Sequence, residues 1–426
     1  MSKSIFSKVL IILCFIFLFS CSNDENSENT PSKTETNVSN TGANRIPSLS
    51  TFPFITEINT KTKIEIANFS NTSPVVNSLA KYSVKSYRLI YDTSDLLGNP
   101  IKASGTLFIP QAINSSDVFS VLSYHHGTLF KDQDVYDASF GNMFYQYASA
   151  GFITVVPDYI GYNASGAIQH PYFINKSSNR AVRDMIIAGI QVTKSMGVSN
   201  DGKLFLNGFS EGANVTVAFL RDVEENPITN LTLVATGACS GPYALKSQYD
   251  YFMLKYNSSD QATSSIYATL LSYMICGYEK NIANVNNNFY YFRYPFNYFP
   301  SFLEGNHNDN DALNALMLYR YTYGFGAVFN QRFLNDVANG SNFQFNKYLN
   351  DNSLVNNWAP KSKIKFYHGS LDSVVPIDVT IGMAINMYNN AINKQNITVH
   401  DFFYTEHGPT EKPMFEHSIQ WFNSQR

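Results

Sequence analysis

The most restrictive stretch of this chain is Gly208-Phe209-Ser210-Glu211-Gly212, a serine set between two glycines where an apolar run gives way to a helix-like one. Residues 203–209 read as a buried strand, and 213–223 carry apolar residues at helical spacing. A chain that passes from strand to helix so abruptly leaves room only for small residues two positions before and two after the central one. Glycine stands at both places, 208 and 212. The turn thrusts the Ser210 hydroxyl out of the sheet edge at a helix N-terminus, where backbone N–H groups favour developing negative charge. The five-residue pattern alone is common. Its strand–turn–helix setting is what makes Ser210 a candidate nucleophile.

The rest of the chain supplies a sheet for that turn to sit on. Residues 86–91 and 101–110 are β-rich runs flanking a turn-prone segment and read as a hairpin. Residues 118–124, 152–157, 204–209, 231–235 and 364–367 are short apolar runs of the kind buried on both sheet faces. Residues 398–404 add one more. Helical periods lie between several of them. Ala181, Val182, Met185, Ile186 and Ile190 repeat at three and four, with Ser177 or Ser178 as the expected cap and Gly197 as the stop. Strands alternating with helices imply a mainly parallel sheet covered on both faces, an α/β fold. Apolar residues make up 44% of the 426, enough for a large core.

Residues 241–360 break the alternation. They are dense in Tyr, Phe and Asn, with weak helical patterns such as 312–319 and no strand series. Because they fall between two core strands, they read as an insertion, a mostly helical cap. The aromatic runs 289–292 and 294–299 read as the core of that cap rather than as substrate contacts. The body is expected over 49–240 and 361–426.

The N-terminus reads as targeting. Lys3 and Lys8 precede an apolar run, 9–19, that is shorter than the roughly 20 residues needed to span a bilayer as a helix. Leu18-Phe19-Ser20-Cys21 resembles the lipobox of bacterial lipoproteins, which makes 1–20 a signal peptide and Cys21 the lipidated residue. Several acyl chains, at about 0.8 kcal/mol per buried methylene, would hold such a protein on a membrane. Ser22 beside Cys21 resembles outer-membrane lipoproteins of diderm bacteria, and Asp24 and Glu25 resemble acidic residues used for surface display. Residues 21–48 hold almost no large apolar side chain and read as a flexible tether. Beyond Cys14 and Cys21, only Cys239 and Cys276 remain; export to an oxidising compartment makes them candidates for a disulfide. A net charge of −3 without basic blocks gives no reason to expect a nucleic-acid partner. No His/Cys cluster has metal-ligand spacing.

A serine hydroxyl is a weak nucleophile and needs a base oriented by an acid. Both follow Ser210 in the order acid, then histidine, that a nucleophile on such a turn uses. Asp372 lies in His368-Gly369-Ser370-Leu371-Asp372-Ser373-Val374-Val375-Pro376, just past an apolar strand. The rival Asp378 follows Pro376 and fits the first turn of the next helix better. His407 follows the final strand, in Tyr404-Thr405-Glu406-His407-Gly408, and is preferred over His400 within the strand and His417 on the terminal helix. Backbone N–H groups of Glu211 and of Thr128, in the His125-His126-Gly127-Thr128 loop, are the expected oxyanion donors. The Glu211 side chain reads as a first-turn carboxylate, and Asp158 as a loop brace.

These motifs carry a resemblance. Residues 123–128, 151–161, His170-Pro171-Tyr172, 208–212 and Asp372 are similar in type and order to α/β-hydrolases resembling the secretory lipases (lipase A-like). The resemblance covers about 85–240 and 360–425 and is weak across 241–360. It implies carboxylic-ester hydrolysis through a Ser-Asp-His triad, no cofactor, and a cap that forms the acyl site. The His-Gly-Thr loop and the glutamate after the serine resemble bacterial esterase-like relatives more than fungal ones. The expected partner is a small-molecule or glycan-linked ester, with membrane attachment through the lipid anchor. Two other readings compete. A prolyl-oligopeptidase-type serine peptidase shares the fold, but the short segment between tether and core leaves no room for its usual propeller or large N-terminal domain. A surface glycan- or lipid-binding lipoprotein on a degenerate hydrolase scaffold would have no need to keep every triad member and both elbow glycines.

Overall fold

The computed structural model describes residues 52–70, 72–130, 141–283, 288–294, 296–303, 309–323, 328–355 and 358–426. The expected signal peptide and the whole of the expected tether, Cys21 included, lie outside them. Nine strands form one sheet in the order β1-β2-β3-β5-β4-β6-β7-β8-β9. They are β1 (Phe54–Lys61), β2 (Val84–Ser94), β3 (Pro100–Pro110), β4 (Val118–His125), β5 (Phe152–Pro157), β6 (Ser199–Phe209), β7 (Thr232–Cys239), β8 (Lys363–Gly369) and β9 (Ile397–Phe402). The expected hairpin is the antiparallel β2–β3 pair, and β3 also lies antiparallel to β5. From β5 across to β9 all pairs are parallel. All of β5 and nearly all of β4 are buried, which is why these strands are continuously apolar rather than alternating.

Two hydrophobic clusters cover the two faces. One joins the sheet to helices Asn175–Ser195, Glu211–Glu225 and Ile377–Asn390 through Val182, Met185, Phe219 and Met383. The other joins it to helices Gly141–Ser149 and Glu411–Ser424 through Phe144, Tyr147, Phe415 and Phe422. Burying each of these large side chains contributes on the order of 1.5–3 kcal/mol.

Between β7 and β8 the described residues are helical, with longer elements at Leu245–Tyr256, Gln261–Tyr278, Asp309–Tyr323, Gln331–Ala338 and Phe343–Asp351. They build a third cluster of their own, which also takes in Tyr172, Phe173 and Ile174 from the scaffold. The aromatic runs divide. Tyr291, Phe292, Phe296 and Phe299 are buried, whereas Phe289, Tyr294 and Tyr298 stand exposed.

Two expectations need correction, and one strand was not foreseen. Neither Ser177 nor Ser178 caps its helix; both are buried inside it, and the N-cap is Ile174, which makes no side-chain cap hydrogen bond. The helix starts earlier because Tyr172, Phe173 and Ile174 are anchored in the insertion's core and lead the chain in. The stop at Gly197 holds, with φ +74. Cys239 and Cys276 are not bridged: Cys239 is packed among the residues covering one sheet face and Cys276 in the insertion's cluster, so separate cores hold the two thiols. Finally, β1 was not expected. It is an edge strand with mostly exposed residues, held by backbone pairing to β2 across a bulge between Glu57 and Asn59, so no buried face marks it in the sequence.

Candidate active site

Parallel register brings the functional loops to one edge of the sheet. His125 at the end of β4 lies opposite Gly208, Phe209 opposite Cys239, Cys239 opposite Tyr367, and Gly369 opposite Phe402. The segments that follow β4, β6, β8 and β9 therefore leave the sheet side by side, carrying residues 126–128, Ser210, Asp372 and His407.

The turn at Ser210 is as tight as its glycines imply. Ser210 has φ 56 and ψ −120, a left-handed conformation that costs a non-glycine residue on the order of 1–3 kcal/mol and persists only where surrounding structure enforces it. A Cβ on Gly208 would lie 2.3 Å from the Gly212 carbonyl oxygen, and one on Gly212 would lie 2.0 Å from the His125 carbonyl oxygen. The helix Glu211–Glu225 starts immediately, so the first N–H groups, those of Glu211 and Gly212, lie outside the intrahelical ladder. Thr216 locks the turn by donating to the Gly212 carbonyl at 2.7 Å, and its oxygen accepts from His125 Nδ1 at 2.6 Å. Burial, with a smaller contribution from His126, pushes the His125 imidazole down to about 3, so it acts here as a neutral strut.

His407 Nε2 lies 2.9 Å from Ser210 Oγ, and His407 Nδ1 lies 2.7 Å from Asp372 Oδ2. A carboxylate accepts, so Nδ1 carries the proton and Nε2 is left to accept from the serine hydroxyl. The other Asp372 oxygen accepts the backbone N–H groups of Val374 and Val375, at 3.0 and 2.8 Å. Burial alone would raise the Asp372 carboxyl. Hydrogen bonds from His368 and His407, and the backbone donor, outweigh it and hold the group well below the usual carboxylate range. A carboxylate so held is an anion whose place is to orient an imidazole and to stabilise imidazolium.

His368 is a partner that sequence reasoning missed. Its Nε2 lies 3.3 Å from Asp372 Oδ2 and donates to the Val375 carbonyl at 2.8 Å, while its Nδ1 accepts from Thr380 Oγ1 at 2.7 Å. The spacing of four residues between His368 and Asp372 was the available signal. The rest of the clamp comes from the insertion. Gln248 Nε2 donates to the Val374 carbonyl at 3.0 Å, Tyr251 Oη to the Ser373 carbonyl at 2.7 Å, and Tyr267 Oη to the same Ser373 oxygen.

The acid and histidine loops are tied to one another. Leu371 N–H donates to the Thr405 carbonyl and Tyr404 N–H to Ser370 Oγ. A Cβ on Gly369 would sit 2.2 Å from the Thr405 oxygen, so glycine is required where the His407 loop crosses. The discarded candidates sit elsewhere. Asp378 is exposed in the first turn of helix Ile377–Asn390. His400 and His417 pack against each other with ring centroids 4.4 Å apart, and His417 Nδ1 is hydrogen-bonded to Tyr367 Oη at 3.1 Å.

Gly127 runs against Ser210: its Cβ position is 3.4 Å from Ser210 Cβ and from the Phe209 ring. The backbone of residues 125–128 thus lies beside Ser210, with the Thr128 hydroxyl bonded to Tyr172 Oη at 2.7 Å. Asp158 is fully buried and accepts from Arg88, Ser104 and Asn163, which makes it a brace. The Glu211 side chain is a first-turn carboxylate, as expected, but a buried one. It is 1% exposed and bonded to His170.

Comparison with known proteins agrees with this architecture. The secretory lipase family profile matches residues 141–241, from the helix before β5 to just past β7. Over 89% of this chain and 100% of its own, the rice cell wall degrading esterase LipA from Xanthomonas oryzae superposes with a TM-score of 0.73 at 22% identity. The chain has the α/β-hydrolase fold and resembles the secretory lipases. Lipase 2 of Candida albicans is 22% identical over 310 residues, 68% of this chain, and the match spans 62% of that relative's length. Candida antarctica lipase A in its closed state superposes with a TM-score of 0.56 at 15% identity, over 86% of this chain and 82% of its own. Among the described residues, no helix is long and apolar enough to cross a membrane.

Proposed function

We propose that this chain is a serine hydrolase of carboxylic esters, an esterase or lipase working through an acyl-enzyme on Ser210. The observation that carries this is the continuous chain Ser210 Oγ–His407–Asp372, at 2.9 and 2.7 Å, on a turn held at positive φ. Ser210 Oγ attacks the ester carbonyl carbon while its proton passes to His407 Nε2. The C–O π bond breaks toward oxygen, and the N–H groups of Glu211 and Thr128 bind the resulting oxyanion. When the intermediate collapses, the imidazolium returns the proton to the departing alkoxide, releasing an alcohol. Water then repeats the sequence on the acyl-enzyme, freeing the acid and Ser210. Asp372 keeps His407 in the tautomer that accepts from serine and stabilises the imidazolium.

The residues between β7 and β8 act, in this reading, as a cap over 241–360 that shapes the acyl site. The leader and Cys21 make the protein an exported lipoprotein of the outer membrane. The names of the relatives, a rice cell wall degrading esterase and two lipases, support ester substrates.

The test is Ser210→Ala. Hydrolysis of p-nitrophenyl butyrate and labelling by a fluorophosphonate should both disappear, with the circular dichroism spectrum unchanged. Wild-type turnover by the folded variant would overturn the reading. Palmitate incorporation that persists in Cys21→Ser would overturn the anchor.

A further inference from the structure

One buried pair of titratable groups is left unused by the triad. Glu211, the residue after the nucleophile, places Oε1 2.7 Å from His170 Nε2, with the side chains 1% and 2% exposed. On the other side of the ring, His170 Nδ1 is 2.6 Å from the Ile160 carbonyl. A carbonyl only accepts, so Nδ1 carries a proton, and a single further proton lies between Nε2 and Oε1. The pair is therefore neutral overall, whichever atom holds that proton, and Glu211 brings no net charge to the neighbourhood of the oxyanion.

His170 is fixed from all sides. A Cβ on Gly161, whose φ is +100, would lie 2.4 Å from His170 Cα. The ring packs among Tyr159, Tyr162, Tyr172 and Tyr273, with centroids 5.9, 4.7, 6.1 and 5.9 Å away. Three of these tyrosines reach the loop that follows β4. Tyr159 Oη donates to the His126 carbonyl at 3.0 Å, Tyr162 Oη to the Leu129 carbonyl at 2.6 Å, and Tyr172 Oη pairs with Thr128 Oγ1 at 2.7 Å. The same cluster thus holds the residue that bears one oxyanion donor and the loop that bears the other.

We propose that His170 and Glu211 are positioning residues of the oxyanion hole, their hydrogen bond setting the helix N-terminus at Glu211 against the 126–129 loop. This rests on the ester-hydrolase reading above. An interaction of this kind is realised in the transition state, where donors must meet the oxyanion rather than the ground-state carbonyl. Its loss lowers kcat and leaves KM nearly unchanged.

Two substitutions at one position separate this from a merely structural role. In His170→Gln the side-chain amide replaces Nε2 and keeps the contact to Glu211. In His170→Asn it replaces Nδ1, keeping the Ile160 contact and losing Glu211. Both lose the imidazole, so they share its packing cost. The Gln variant should keep kcat within about threefold, and the Asn variant should fall about tenfold to a hundredfold, as misplacement of catalytic groups by up to about an ångström does. Affinity for a boronic acid that mimics the tetrahedral state should fall by the same factor as kcat. Equal kcat and equal boronate affinity in the two folded variants would overturn the proposal. Should neither fold, Glu211→Gln against Glu211→Ala makes the same contrast, with the glutamine variant active and the alanine variant impaired; equal activity again overturns it. Loss of activity in Ser210→Ala stands apart from these outcomes, so the hydrolase reading survives or fails independently.

Discussion

Ser210 and Asp372 reach the same place by opposite means. The serine is held by its own strand and helix: two glycines, one strained residue and the Thr216 hydroxyl lie within nine residues of one another. Asp372 sits in a loop whose carbonyls are held by Gln248, Tyr251 and Tyr267 from the inserted helices, and whose carboxylate is held by His368. In the proposed mechanism, a nucleophile with local support tolerates change elsewhere in the molecule. The proposed acid, with distant support, makes catalysis depend on the helices between β7 and β8.

The sharpest way to break that contrast is at the turn. Gly212→Ala would put a methyl group 2.0 Å from the His125 carbonyl, in rigid backbone on both sides. Assays on the purified variant should find either no folded protein or a loss of turnover comparable to that of Ser210→Ala. Near-normal turnover would show that the turn is looser than its geometry. Asp372→Asn comes next, since it presents His407 with a donor in place of an acceptor; a drop in kcat of about ten-thousandfold is expected from tautomer loss. The same variant reports on stability. The folded-state value of Asp372 is depressed, so its contribution is present above the unfolded value near 3.8 and lost as pH falls below it toward the folded value. Wild-type protein should lose stability across that acid range, and Asp372→Asn should show a flatter limb in denaturant titrations at successive pH values. The double variant Tyr251→Phe/Tyr267→Phe carries the smallest effect. It removes two donors to the Ser373 carbonyl, each worth about 0.5–1.5 kcal/mol, and should lower kcat severalfold while the serine stays as reactive to a small phosphonate. Unchanged kcat would mean that the insertion does not support the acid.

This difference in support also explains what could be read early. Local devices leave short-range marks. Glycines two residues either side of Ser210, and apolar runs of strand length before Ser210, Asp372 and His407, are visible because each depends on neighbours in the chain. Asp378 could be set aside because Pro376 announced a helix start. The Ser177 or Ser178 cap failed for the complementary reason: Tyr172, Phe173 and Ile174 are packed against the insertion, and distant packing moved the helix start. The strand β1 was missed because an exposed edge has no buried face to pattern it. The pairing of Cys239 with Cys276 depended on two cores that a sequence cannot tell apart.

By itself, then, the sequence determined the α/β alternation, the tight turn at Ser210, the positions of Asp372 and His407 just after their strands, and the helical stretch between β7 and β8, since each follows from contacts between residues close in the chain. Only the tertiary structure decided that His368 shares Asp372 with His407, that inserted tyrosines hold the acid loop, and that Glu211 is bonded to His170, 41 residues away. Such contacts arise where segments remote in the chain are buried together and their polar groups must find partners there, and no local pattern records which segments those are.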